Sequence, residues 1–283
     1  MRIDITGPGP LLCFGGPYSN LEGTEAMRRE AQRLAIPPNR VICTGDIVAY
    51  CANPNETVEL VRDWGCHVIK GNCEQQLAEL AEDCGCGFDD GTACDLLSAR
   101  WYAFADNALR DDHRQWMSAL PASIDFELGT LTARVIHGGV RDVSRFVFPS
   151  TANDVKQAEI DSAAADILIA GHCGIPFVEK FGTRVWFNPG VIGMPANDAT
   201  PDGWYGLITP QPETGTAVFS LRRLCYDAQA AARRLARLGH VDSYAEALRT
   251  GLWPSLDVLP QAERQQTGIP LREIDLTISL DPT

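Results

Sequence analysis

The sequence predicts an α/β protein built on a parallel sheet, and two observations carry that expectation. Short runs that read as buried strands, at 11–14, 41–43 and 67–69, alternate with stretches of helical spacing, "NLEGTEAMRREAQRLA" and "NPNETVELVRDWG". Two strand–helix–strand units in succession then make consecutive strands parallel, because each helix returns the chain to the end from which it left. A chain of 283 residues, 45% of them hydrophobic, is long and apolar enough to bury such a core.

Taken in order, the first helix is capped by Asn20 and the second by Asn55, residues whose side chains accept from free N–H groups. Residues 74–120 read as mainly helical, interrupted by "CGCGFDDGTAC". "ARVIHGG", "DILIAGHCG", "TRVWFNPG", "WYGLI" and "TAVFSL" follow as short strands bounded by turn residues. "YDAQAAARRLARLG" opens a helical C-terminal region whose prolines point to a peripheral tail. No internal repeat or linker stands out, so one domain is expected over residues 1–225, with 226–283 packing on it.

The formal charge of −13 opposes binding to long nucleic acid and to anionic membrane surfaces. A phosphate-bearing ligand would need a local positive feature. "MRIDITGPGPLLCFGG" lacks the apolar core of a signal peptide, and no apolar run reaches the length of a membrane span. A cytoplasmic location is expected, with the ten cysteines mostly free thiols.

Several strands end in glycine with a polar residue alongside: "CTGDIVAY", "IKGNCE", "VIHGG", "IAGHCG" and "FNPGVIG". Glycine permits a sharp turn, and the neighbouring side chain then enters the crevice beyond the sheet edge. Asp46, Asn72, His137 and His172 would meet there. A carboxylate, an amide oxygen and two imidazoles suit zinc, manganese or iron. Singly, each has a plainer reading: Asp46 and Asn72 as helix caps, the histidines as hydrogen-bonded structural residues. Asn188 reads as turn chemistry or as a support for a neighbouring loop. Cys84, Cys86 and Cys94 read as buried thiols, as a thiol pair, or as three ligands of a zinc site whose fourth is not evident.

"GD", "GN", "H" and "GH", each at a strand end and in that order, resemble the motifs of the calcineurin-like metallophosphoesterases. "GDIVAYCANPNETVELVRDWGCHVIKGNCE", "IHGGVRD" and "NPGVIGMPANDATPDGWYGLI" resemble more closely the small bacterial phosphodiesterase branch. The resemblance spans residues 11–221. It implies a sandwich of two β-sheets flanked by helices, with a dinuclear metal site at the strand ends. The departures are selective. The family's opening Asp-x-His is here Gly16-Pro17-Tyr18, and its closing Gly-His-x-His is Gly171-His172-Cys173-Gly174. Gly16, Tyr18 and Gly174 therefore replace three of the four ligands of one metal. The ligands of the other are all present, as Asp46, Asn72, His137 and His172. The resemblance thus implies a degenerate first site and a cofactor of one divalent transition metal.

Two functions follow. In the first, one ion serves hydrolysis of a phosphomonoester or phosphodiester, the substrate being a small phosphorylated molecule or nucleotide. Tyr18 would donate to a phosphoryl oxygen and Arg141 would clamp it, while Cys73, standing where the family often has a catalytic histidine, is an acid, a metal ligand or an apolar filler. In the second, the fold persists without turnover as a ligand-binding or regulatory module, and the Tyr18 ring fills the space of the lost metal. Restoring the family's side chains together, through Gly16→Asp, Tyr18→His and Gly174→His, separates the two by the activity gained or lost.

Overall fold

Strand β1 (Leu11–Phe14) is buried at every position, and its alternation decides what lies on each side. Leu11 and Cys13 join a core shared with a second sheet, whereas Leu12 and Phe14 pack beneath helices. The structure, a computed structural model, describes residues 1–5, 9–129, 131–211, 213–239 and 242–279. The last four residues of the expected C-terminal segment lie outside the described residues.

The remaining strands are β2 (Val41–Cys43), β3 (His67–Val68), β4 (Ile124–Leu128), β5 (Leu131–Val135), β6 (Ile167–Ile169), β7 (Phe177–Phe181), β8 (Arg184–Asn188), β9 (Gly203–Gln211), β10 (Thr216–Leu224) and β11 (Ile274–Ser279). They form a six-stranded sheet, β11-β10-β9-β1-β2-β3, and a five-stranded sheet, β4-β5-β6-β8-β7. Each sheet has a parallel heart: β1, β2 and β3 in the first, β5, β6 and β8 in the second. Between the sheets lie Ile42, Ile69, Phe126, Val135, Ile169, Phe187 and Phe219. Helices α1 (Leu21–Arg33) and α2 (Pro54–Trp64) contribute Met27, Val58 and Val61 to the core under the first sheet. The outer face of the second sheet carries Leu168 and Trp186 beneath Ile160 of a helix at Asn153–Ala163. The expected two-sheet sandwich flanked by helices is what the chain forms.

Asn20 caps α1, accepting from the Gly23 amide at 2.9 Å, and its Nδ2 also donates to the Gly193 carbonyl at 2.9 Å. Asn55 does not cap α2. The helix begins one residue earlier, at Pro54, because proline's missing N–H and fixed φ suit the first helical position. The Asn55 Oδ1 instead accepts from the Arg110 amide at 3.1 Å and faces His113 Nδ1 at 2.8 Å. The tail lies at the edge of the fold, as expected, and is paired there. β11 pairs with β10 over six residues, from Thr216↔Ser279 to Leu221↔Ile274, and extends the first sheet. Among the described residues, no helix is long and apolar enough to cross a membrane.

Candidate metal centre

The residues that leave the carboxyl ends of β2, β3, β5 and β6 meet at one edge of the sandwich, where open α/β sheets place their ligands. Two of them, Asp46 at φ 59° and His172 at φ 64°, lie in the left-handed region, as does Tyr18 at φ 51°. Such a conformation costs a non-glycine residue on the order of 1–3 kcal/mol and persists where surrounding contacts impose it.

His137 is at the centre. Its Nδ1 lies 2.6 Å from the Thr44 carbonyl, so the Nδ1–H donates and the Nε2 lone pair faces the site. Around Nε2 stand Asn72 Oδ1 at 3.1 Å, His172 Nδ1 at 3.1 Å and Asp46 Oδ2 at 3.2 Å. The Asn72 amide is fixed in that sense because its Nδ2 donates to the Cys84 carbonyl at 2.9 Å. His172 Nε2 is buried with no hydrogen-bond partner among the described residues. Ligand atoms of Asp46, His137 and His172 all lie within 4.8 Å of one another.

Acceptors converging in this way repel unless a cation lies among them. Without a metal a proton on His137 is the available cation: burial opposes it, but the Asp46 carboxylate outweighs burial and raises the His137 pKa. Burial likewise opposes ionisation of Asp46, and the charge on His137 overcomes it and holds the carboxyl below its usual range. His172, desolvated and beside His137, is pushed down to about 3 and stays neutral, so one ring nitrogen keeps its lone pair. A mixed set of nitrogen and oxygen donors around a buried cation position fits a divalent transition metal.

Glu74 belongs to the site although its sequence position announced only a helix start. The fully buried carboxylate accepts from the amides of Asp46 and Ile47, both at 2.7 Å, and of Gly71 at 2.9 Å. It therefore imposes the strained turn at Asp46. Burial, and then the negative charge of Asp46, raise its pKa. Glu74→Gln is expected to cost about 3 kcal/mol, since the amide would turn a donor toward backbone donors. Scanning calorimetry reads that loss, and an unchanged melting temperature would show that the turn holds itself.

Beside Asp46 and His172 opens a cavity of about 90 Å³ whose wall includes Tyr18, Phe146, Met194, Tyr244, Trp253 and Val258. No lysine or arginine is among the described residues that line it. The Tyr18 ring meets Tyr50 edge-on at 4.7 Å, and burial together with Asp46 raises its pKa, so it stays a phenol. Cys73 is buried, its amide 3.4 Å from Asp46 Oδ1, and burial with Asp46 raises the thiol pKa as well. Arg141 is exposed and stands outside the lining, so the structure does not bring it to the other candidates. Cys84 and Cys86 form a disulfide, a departure from the expected free thiols; Gly85 between them, at φ +58°, turns the chain so that the two sulfurs meet. The other eight cysteines are free, Cys94 among them. Asn188 supports a neighbouring loop: its Nδ2 donates to the Gly171 carbonyl at 2.9 Å, and its Oδ1 accepts from the Gly190 amide at 2.9 Å.

An aromatic ring stands against each of two glycines at the site. A Cβ on Gly16, at φ +44°, would lie 2.5 Å from Tyr18 Cζ and 2.7 Å from Val191 Cγ1. One on Gly174, at φ +75°, would lie 3.2 Å from Trp253 Cζ2. The Tyr18 ring is two residues from its glycine and was expected to fill this space; the Trp253 ring was not foreseeable from local spacing.

Known proteins place this architecture. Residues 20–211 match the model of the calcineurin-like phosphoesterase superfamily domain. An uncharacterized protein of Methanocaldococcus jannaschii is 25% identical over 195 residues, which are 63% of this chain and 74% of the relative. A metallophosphoesterase from Sphaerobacter thermophilus superposes with a TM-score of 0.67 at 19% identity, over 87% of this chain and 100% of its own. A hypothetical protein from Pyrococcus horikoshii gives a TM-score of 0.72 at 16% identity, over 86% of this chain and 99% of its own. At such identities the two structures speak for the fold, whereas the family match spans most of the chain. The chain belongs to the calcineurin-like phosphoesterase superfamily.

Proposed function

We propose that this chain is a phosphoester hydrolase working with one divalent transition metal, zinc, manganese or iron, held by Asp46, Asn72, His137 and His172. The observation that carries the reading is the convergence of three acceptor atoms within 3.2 Å of His137 Nε2. A bound divalent ion supplies a Lewis acid for a phosphoryl oxygen and lowers the pKa of a bound water from ~15.7 toward ~7.

The chain's own residues do the rest. The Thr44 carbonyl fixes the His137 tautomer. Asn188, through the Gly171 carbonyl, holds the loop that presents His172. Tyr18, kept as a phenol and lining the same cavity as Asp46, would donate to a phosphoryl oxygen there. Cys73 keeps its proton and serves as a buried thiol neighbour of Asp46 rather than as a nucleophile. Arg141 is assigned no part. The substrate is a small phosphomonoester or phosphodiester, since a charge of −13 works against long polyanions.

A second reading, a ligand-binding module without turnover, is favoured by the rings against Gly16 and Gly174 and by a cavity wall without a cationic side chain. Elemental mass spectrometry on untagged protein, with hydrolysis of p-nitrophenyl phosphate and bis(p-nitrophenyl) phosphate before and after chelation, separates the two. One metal per chain is expected, with hydrolysis that chelation abolishes and added zinc or manganese restores. One metal with neither ester turned over would favour the binding module. No metal, even after soaking, would overturn the metal reading.

A further inference from the structure

Resting on the phosphoesterase reading, we infer that the group esterified to the phosphate is apolar and uncharged, a short alkyl chain or a single aromatic ring. It sits against Phe146, Met194, Tyr244, Trp253 and Val258, with the phosphoryl group at the Asp46–His172 end of the cavity.

The composition of the wall comes first. Asp46 and His172 are the charged or titratable nitrogen and oxygen groups of the lining apart from tyrosine hydroxyls, Ser255 adds one hydroxyl, and the other side chains are aromatic, aliphatic or sulfur-bearing. A second phosphate or a carboxylate on the leaving group would enter without a cationic partner, at the desolvation cost of an unpaired charge. A sugar would bring several hydroxyls to a wall that offers few partners. The aromatic and aliphatic surface matches an apolar group instead.

Size sets the second limit. An engineered cavity of about 150 Å³ holds benzene. The cavity here, about 90 Å³ and open at its mouth, is shared between the phosphoryl group and its ester, so a short chain or one ring is seated against the wall with its far end at the mouth. A nucleoside is too large to be enclosed.

The wall is also held in place before any ligand arrives. Trp253 donates from Nε1 to the Pro195 carbonyl at 2.7 Å, and from its amide to Asn197 Oδ1 at 2.8 Å. The next residue along, Asp198, is buried and paired with Arg223 at 2.7 Å. Tyr244 packs on Tyr50 at 4.9 Å, and Tyr50 on Trp101 at 5.1 Å. A wall so fixed loses little ordering entropy on binding. The positions at which the family carries ligands for a second metal are thus lined by rings that select an organic group.

The test is isothermal titration of the zinc-loaded full chain with methyl-, propyl- and phenylphosphonate, which are not hydrolysed, and with phenol. Affinity is expected to rise roughly fourfold for each methylene buried, so that propyl- and phenylphosphonate both bind at least about tenfold tighter than methylphosphonate. Trp253→Ala is expected to flatten the series, and the series on the unaltered chain stands whether or not that variant folds. Three phosphonates of equal affinity would overturn the apolar pocket and leave the phosphoesterase reading intact. Phenol binding without any phosphonate would overturn the phosphoesterase reading on which the inference rests. Binding of none of the four would overturn both.

Discussion

His172→Ala is expected to strip the protein of its metal while leaving the fold standing, whereas His137→Ala is expected to lose both. The difference lies in what each removal leaves behind. His172 is neutral, its Nε2 has no partner among the described residues, and it touches the cavity through a face packed on Phe146 at 4.2 Å. Its loss removes a donor and opens space next to an existing cavity, at about 1 kcal/mol. His137 pairs with Asp46 at 3.2 Å and donates to the Thr44 carbonyl at 2.6 Å, both groups buried. Truncating it leaves a buried carboxylate without its counter-charge, a loss of about 3–5 kcal/mol. Calorimetry on chelated samples, beside metal content before chelation, reads the two effects separately. A His172→Ala protein that keeps its one equivalent would remove His172 from the ligand set. A His137→Ala protein that melts where the unaltered one does would show that Asp46 has another partner.

The site was legible where its signals are local. A glycine at a strand end with a polar residue beside it is a statement about one turn, and Asp46, Asn72 and His172, each after a glycine, and His137, before one, sit at four such turns. Whatever depends on distant pairing was not legible. β11 alternates Ile274, Leu276 and Ile278, but Pro270 and the charged Arg272 and Glu273 before it gave no reason to pair it with β10. β4 and β7 were missed for the same reason, since each is a hairpin partner made a strand by β5 or β8. Asn53 and Asn55 flank Pro54, and only the rule that proline favours the first helical position decides between them. Glu74 could have been found by asking which acceptor serves the amides of a turn at Asp46. Trp253 had no such route: it lies 79 residues after Gly174 in the chain and reaches it only through the tail's path.

That path changes what it takes to rebuild the family's second metal position. Restoring the three side chains expected from the resemblance, through Gly16→Asp, Tyr18→His and Gly174→His, is not expected to suffice; Trp253→Ala is needed as well. Gly16→Asp alone places a Cβ 2.5 Å from Tyr18 Cζ at φ +44°, combining overpacking of about 1–3 kcal/mol with left-handed strain of about 1–2 kcal/mol. Tyr18→His relieves the contact with the phenol ring, because histidine is shorter, and leaves the Val191 Cγ1 methyl at 2.7 Å to shift aside. No such relief exists for Gly174→His, which meets Trp253 Cζ2 at 3.2 Å from a backbone at φ +75°, while Trp253 is anchored through Pro195 and Asn197. The three-site variant is therefore expected to bind one metal, and the four-site variant two, with bis(p-nitrophenyl) phosphate hydrolysis raised only in the latter. Two equivalents in the three-site variant would mean that the Trp253 ring yields. A folded four-site variant with one equivalent would mean that the rings are not what keeps the second ion out.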